Sequence, residues 1–295
     1  MRILVVINPA ACRGNRADAD EIAAAFRARG LPCQIENTVA PGDARRIVAA
    51  AGNAAEAVVV CGGDGTLHEA LQAMDLDRQV LGIIPRGSGN DFAWMHGWPR
   101  SIAACADRVA AGPSRRLDVG LWKDARFAGG VLRFHNSVGL GFEGRVNYES
   151  HRIRWPHGRA VYLVALARTL SDREHYPMRF EWDGAGWQGD VFMASVCIGR
   201  RVGGAFLLAP AAQADDGLFD LAFTARHVGL ARILELLPRT YTGSHVRSPL
   251  MRMERAARIR IEAGAGVPVH VDGEFIALDI RDLDLQTLPG SLRTF

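Results

Sequence analysis

The sequence predicts an α/β fold: an N-terminal doubly wound parallel-sheet domain followed by a β-rich domain. Three observations predict it. Strand-like and helix-like segments alternate through the first third of the chain. From about Arg115 onward short strands dominate, several of them alternating apolar and polar residues. Between these textures, near Asp118–Asp124, the pattern switches from one period to the other. Alternation at helical and strand spacing marks βαβ units and a parallel sheet, whereas apolar/polar alternation marks antiparallel strands with one face exposed.

Taken in order, "RILVVIN" (Arg2–Asn8) is continuously apolar and branched, as a strand covered on both faces must be. Ala17–Gly30 has helical periodicity, early acidic residues and a glycine stop. "PCQIENTV", the helix Pro41–Gly52, "EAVVVCG", "TLHEALQAM", "QVLGIIP" and the helix Ser101–Gly112, with Ser101 as N-cap, continue the alternation. The strands that follow are "RLDVGLW", "ARFAGGVLRFHNSVGLG", "MRFEWDG", "WQGDVFMASVCIG", "LFDLAFTA", "RIRIEA" and "VPVHVDGEFIALDI", the last with an Asp-Gly hairpin turn. Two helices interrupt them, Arg159–Ser171 and Val228–Leu237. The division reads as 1–120 and 121–295, with a return of the C-terminal residues to the first domain left open.

Composition narrows the function classes. A chain of 295 residues with 48% hydrophobic and 23% charged residues builds a sizeable core. A net charge of +3 does not announce a nucleic-acid partner. Lys123 is the only lysine, so arginine supplies nearly all the positive charge. The cysteines Cys12, Cys33, Cys61, Cys105 and Cys197 form no close pair, which argues against zinc and for reduced thiols in the cytoplasm. The longest uncharged stretch, Val202–Ala214, is shorter than the roughly 20 residues that span a bilayer.

Two glycine loops carry the chemistry. "GGDGT", Gly62 to Thr66, follows a strand and opens a helix. Its backbone N–H groups suit a phosphate, and the missing Cβ atoms allow close approach. It lacks the Gly-Lys-Ser/Thr of a Walker A loop and the spacing of a dinucleotide fingerprint. A carboxylate in such a cradle makes sense with Mg²⁺ between Asp64 and the phosphates. A tight turn with Asp64 as a helix cap is the competing reading. The second loop, "GIIPRGSGNDFA" (Gly82–Ala93), also follows a strand. Both loops therefore lie on one edge of a parallel sheet, where α/β ligands bind. Ser88, Asn90 and Asp91 are its polar candidates.

In order along the chain, "NPAACRGN", "GGDGTLHEAL", "PRGSGNDFA", "NSVGLGFEGRV", "APAAQADDGLFDL" and "VDGEF" resemble the diacylglycerol kinase catalytic-domain family. The likeness is to its soluble bacterial lipid kinases, which are also similar to sphingosine and ceramide kinases. It covers nearly the whole chain. "GGDGT" alone is shared with NAD kinases and 6-phosphofructokinases; the pair of loops is more specific. The resemblance implies a C-terminal β-sandwich and an active site in the cleft between the domains. It implies that Asn8, Thr38, Gly62, Gly63, Asp64, Gly65, Thr66, Ser88, Asn90 and Asp91 meet ATP and its Mg²⁺. It further implies that Asp64 and Glu274 are catalytic, Glu274 as general base toward a lipid hydroxyl. "QADDGLFD" resembles the family's structural Mg²⁺ loop, with Asp216 as side-chain ligand and carbonyls from Gln213 and Leu218. On residue pattern alone Glu274 and Asp216 are equally turn residues. Cys12, Arg13, His68 and Arg86 depart from the family pattern.

The expected activity is ATP- and Mg²⁺-dependent phosphorylation of diacylglycerol or a related lipid. A kinase of a soluble acceptor, related to NAD kinase, and a silent nucleotide- or lipid-binding protein are the alternatives. "HRIRWPHGRAVYL" mixes arginine and tryptophan, which suits peripheral contact near Arg152–Arg159 with the inner face of the membrane; a solvated loop ahead of a core helix is the competing reading. A homodimer is left open.

Overall fold

Five buried apolar residues, Ile3–Ile7, form β1, and every position of β3 (Ala57–Gly62) and β4 (Val80–Pro85) is buried as well. Strands of this kind need helices on both faces, and the chain supplies them. The computed structural model describes residues 1–11, 17–153, 159–170 and 174–295. The chain divides into two units, Met1–Val119 with Gly290–Phe295, and Gly120–Pro289.

In the first unit β1 pairs in parallel with β2 (Cys33–Asn37) on one side and β3 on the other, and β3 pairs with β4. Helices α1 (Ala17–Arg27), α2 (Asp43–Ala51), α3 (Asp64–Leu71), α4 (Asp91–Met95) and α5 (Ile102–Ala110) intervene. The step from β1 to β2 runs opposite to the steps that follow. Right-handed crossovers therefore put α1 on one face and α2 and α3 on the other. The packing of α1 on α5 and of α2 on α3 agrees. Ser101 caps α5 by accepting the Ala104 N–H at 3.2 Å. At the chain's end Arg293 and Thr294 add a parallel partner to Val80 and Leu81, and Phe295 is fully buried.

The second unit is antiparallel. Its elements are β5 (Arg115–Lys123, entering from the first unit), β6 (Val131–Phe134), β7 (Ser137–Gly141), α6 (Phe142–Arg152), α7 (Arg159–Thr169), β8 (Tyr176–Trp182), β9 (Ala185–Val191), β10 (Met193–Cys197), β11 (Phe219–Thr224), α8 (Leu230–Thr240), β12 (Met251–Ala256), β13 (Arg258–Val271) and β14 (Glu274–Thr294, running back into the first unit). One layer runs β12-β11-β10-β7 into the second half of β13. The first half of β13 pairs instead with β8, and β8 with β9. Register shifts between Glu262 and Val269 mark where β13 passes from one layer to the other. Aromatic rings fill the space between layers: Phe180 and Trp187 lie 4.7 and 4.9 Å from Phe223, and Phe134 lies 5.6 Å from Phe219. This is a β-sandwich.

The largest difference from the sequence reading is α6, a segment to which that reading gave no element. Gly144 sits inside it and weakens its helical signature. A Cβ at Gly144 would lie 2.2 Å from the Pro268 carbonyl oxygen, so the glycine lets α6 lie directly on β13. The long segment read as one strand from Ala125 to Gly141 begins as strand only at Val131 and is split into β6 and β7. Among the described residues no helix is long and apolar enough to cross a membrane.

Candidate active site

In the first unit the predicted residues gather at the carboxyl ends of four neighbouring parallel strands. Asn8 follows β1. Its side-chain amide donates to Thr66 Oγ1 at 2.9 Å, and its oxygen accepts the Ala10 N–H at 3.0 Å. Thr38 follows β2, with its N–H on the Ile7 carbonyl at 2.8 Å. Gly62 to Thr66 join β3 to α3, and Ser88, exposed, lies in the loop after β4. The two glycine loops touch. A Cβ on Gly87 would stand 2.4 Å from the Gly63 Cα, so neither loop tolerates a side chain there. The first turn of α3 offers backbone N–H groups that have no acceptor within the helix.

Asp64 does not cap its own helix. Its carboxylate reaches the second loop and accepts the N–H groups of Asp91 at 3.1 Å and Phe92 at 3.2 Å, one on each oxygen. It thereby caps α4, whose preceding residue, Asn90, is left-handed at φ 50°. Asn90 closes the loop with both ends of its amide, accepting the Gly87 N–H at 2.8 Å and donating to the Gly87 carbonyl at 2.6 Å. Asp91 is buried. Sequence reasoning missed Glu69, one turn on from Asp64, which accepts the N–H groups of Gly42 at 2.8 Å and Ala44 at 3.2 Å and caps α2. Asp43, beside them, is held below the usual carboxylate range by its hydrogen bond from Arg46 and the N–H groups of Val39 and Ala40. His68 is buried in α3, and Arg86 turns to the Arg100 carbonyl at 3.0 Å. Cys12 and Arg13 lie outside the described residues.

These residues fit a Mg²⁺–nucleotide. Each Asp64 oxygen accepts one N–H and keeps further acceptor capacity. An all-oxygen donor beside uncovered glycine backbone suits a hard cation carrying phosphates.

In the second unit Glu274 opens β14 directly after the Asp272-Gly273 turn, where both residues have positive φ, 51° and 88°. Glu274 is exposed, and its carboxylate has no hydrogen bond or ion pair among the described residues. Asp272 is its opposite. Its buried carboxylate accepts the N–H groups of His135 at 3.1 Å, Asn136 at 2.9 Å and Ser137 at 3.1 Å, and its own N–H donates to the Ser137 carbonyl at 2.8 Å. The role of Asp272 was not read from the sequence; the one available signal was "HNS" and "VDGE" together, two polar clusters inside apolar strands.

The "QADDGLFD" loop holds a cation of its own. One Asp216 oxygen accepts the Leu218 N–H at 3.0 Å, and the other accepts from the Arg255 guanidinium. Arg255 Nε also lies 3.7 Å from Asp220, whose carboxyl is pushed up to about 6, chiefly by burial and against the pull of Arg255. The Gly217 carbonyl is taken by the Thr287 hydroxyl at 2.7 Å, and Gln213 is exposed. With the Arg255 guanidinium seated on one Asp216 oxygen, a cation already occupies the loop, and as it stands it does not fit a divalent metal. Among the described residues no three His, Cys, Asp or Glu side chains are placed to share one. Of the basic segment, Arg152 pairs with Glu149 at 3.3 Å, and residues 154–158 lie outside the described ones.

Comparison with known proteins places the chain. Residues 2–122 match the "Diacylglycerol kinase catalytic domain" family, and residues 136–295 match the "YegS C-terminal NAD kinase beta sandwich-like domain". A protein of Mycobacterium tuberculosis strain H37Rv named "Diacylglycerol kinase" is 35% identical over 237 residues, 79% of this chain and 75% of its own. One of Pseudomonas aeruginosa strain UCBPP-PA14, named "Probable lipid kinase YegS-like", is 32% identical over 99% of this chain and 93% of its own. The crystal structure of a diacylglycerol kinase from Bacillus anthracis str. Sterne shares the fold, with a TM-score of 0.73 at 21% identity over 99% of this chain and 96% of that one. The chain belongs to the diacylglycerol kinase catalytic-domain family and is an enzyme, an ATP-using kinase with an alcohol acceptor.

Proposed function

We propose that the chain transfers the γ-phosphoryl group of ATP to the hydroxyl of a lipid, diacylglycerol or a relative of it, in a reaction that requires Mg²⁺. The observation that carries this reading is the meeting of the two glycine loops at Gly63 and Gly87, with Asp64 bonded across them. That arrangement offers α3's first-turn amides and one carboxylate to a polyphosphate. Asn8, Thr38 and Ser88 follow the strands on that edge and contact the nucleotide. Mg²⁺, held by Asp64, supplies neutralisation of the charge on the phosphates.

Glu274 is the general base and takes the proton of the acceptor hydroxyl as that oxygen attacks phosphorus. An exposed carboxylate with no partner among the described residues is free to approach a hydroxyl. The lipid names of the relatives favour a lipid acceptor. Peripheral membrane contact and homodimerisation remain part of this proposal.

The test is purified protein with γ-labelled ATP and Mg²⁺ against diacylglycerol, a sphingoid base and a glycolipid in mixed micelles, with NAD as soluble acceptor. Label in a lipid product supports the reading. Label in NAD without detergent, or nucleotide binding by calorimetry with no transfer to any acceptor, overturns it.

A further inference from the structure

The turn that carries Glu274 is held by side chains on both of its backbone groups. The Gly273 N–H donates to His270 Nδ1 at 3.3 Å, and the Gly273 carbonyl accepts from the Asn147 amide at 2.6 Å. For Nδ1 to accept, it must carry no proton. The proton of the neutral ring then sits on Nε2. Nε2 faces Glu143 Oε2 at 3.5 Å, and the other Glu143 oxygen accepts from the Ser195 hydroxyl. Glu143 and Asn147 stand one turn apart on α6, so one helix reaches both ends of the arrangement.

Space has been kept for it. A Cβ on Gly139 would lie 2.2 Å from Glu143 Oε2 and 2.2 Å from His270 Nε2. Both side chains are largely buried, at 12% and 5% exposed. Stability alone is a poor reason to bury such a chain, since apolar side chains of similar volume do as well or better. What a polar chain adds is direction: each link fixes the tautomer or rotamer of the next.

We propose that Ser195, Glu143 and His270 are positioning residues which, through Gly273, fix the backbone turn and so the placement of Glu274. This rests on Glu274 being the base. The His270 ring acts as a single neutral tautomer, with Nδ1 setting the turn and Nε2 turned toward Glu143 at 3.5 Å. The three residues lie on β10, α6 and β13, so the relay links the sheet, the helix and the turn of this unit.

Two substitutions separate the two ring nitrogens. His270→Asn keeps an acceptor where Nδ1 stands and loses the Glu143 contact. His270→Gln keeps a polar group where Nε2 stands and loses the Gly273 acceptor. The full-length enzyme is assayed with ATP and diacylglycerol micelles, and Tm is followed in parallel. For His270→Gln the expected result is a fall in kcat of about 10–100-fold, as for a misplacement of about 1 Å, with KM for both substrates within about twofold. His270→Asn retains most of kcat. In a Glu274→Gln background His270→Gln adds nothing further, as expected if it acts through that carboxylate. Equal losses in both His270 variants, or full kcat in His270→Gln, overturn the proposal. Wild-type kcat in Glu274→Gln alone overturns the base assignment instead, so the two failures are distinct.

Discussion

Each unit of this kinase presents an acidic residue beside a glycine, and the two use it differently. In the first unit Asp64 is both the candidate ligand and the brace: its two oxygens hold the start of α4. In the second unit the tasks fall to separate residues. Asp272 braces, with three backbone N–H groups on its carboxylate, and Glu274 is left without a partner among the described residues. A phosphate cradle has to be rigid, so a carboxylate fixed by two amides suits it. A general base, the role proposed for Glu274, has to meet a substrate proton; its carboxylate has no partner among the described residues, and the turn beneath it is fixed. On the proposed assignments, chemistry and folding coincide at Asp64 and separate at Glu274.

The substitutions Asp64→Ala and Glu274→Gln test this separation, with the largest effects expected. Asp64→Ala removes the cap of α4 and should lower stability by about 1 kcal/mol, within a range of roughly 0.5–2. It should also cut kcat/KM by at least about 10²–10³-fold, as for loss of a group that steadies developing charge. Glu274→Gln should cost about 10²–10⁴-fold in kcat and leave stability within about 0.5 kcal/mol, as for an exposed residue. Urea unfolding alongside the kinase assay reads both. Equal stability in the two variants would break the comparison.

Much of the fold was legible in the sequence, and the reasons for the rest are physical. The uniformly buried strands β1, β3 and β4 are written as unbroken branched apolar runs, so the parallel sheet and its loop edge could be read directly. The glycines at 63 and 87 were visible as loop residues; that they touch was not, because contact between loops leaves no periodic trace. Asp64 had a phosphate-metal reading and a helix-cap reading, and its observed bonds go to a third place, a helix from the other loop. α6 was hidden because Gly144, needed for contact with Pro268, breaks the helical pattern. The same helix carries Glu143 and Asn147, so missing it concealed what holds the Glu274 turn. Arg255 on Asp216 was equally hidden: the pair forms only when β11 and β12 align with Asp220 opposite Arg255.

A smaller effect sharpens the first unit's half of the comparison. Glu69 also braces a neighbouring helix, α2, through Gly42 and Ala44, but no sequence motif gives it a role with nucleotide. Glu69→Ala should lower stability by about 1 kcal/mol, as Asp64→Ala does, while kcat changes less than about threefold. On this helix Glu69 would then brace without chemistry, whereas Asp64 does both. A kcat loss like that of Asp64→Ala would show instead that α2, and Thr38 ahead of it, need the brace to meet the nucleotide.

The smallest expected effect separates the units by pH. His245, in the turn Ser244–Arg247 of the second unit, is 2% exposed, and burial holds its imidazole below the ordinary value. The folded state thus binds this proton less readily than the unfolded chain, whose imidazole titrates near about 6.5. The stability from the neutral buried ring is whole above that value and is lost as pH falls through it. In the first unit Asp43 is also held low, but its contribution stays intact until pH falls below the ordinary carboxylate range. Between about pH 7.5 and 5.5, hydrogen exchange should therefore rise in peptides of the second unit more than in those around Asp43. His245→Gln should flatten that rise. An equal rise around Asp43, or an unchanged slope in His245→Gln, would assign the acid sensitivity to another group.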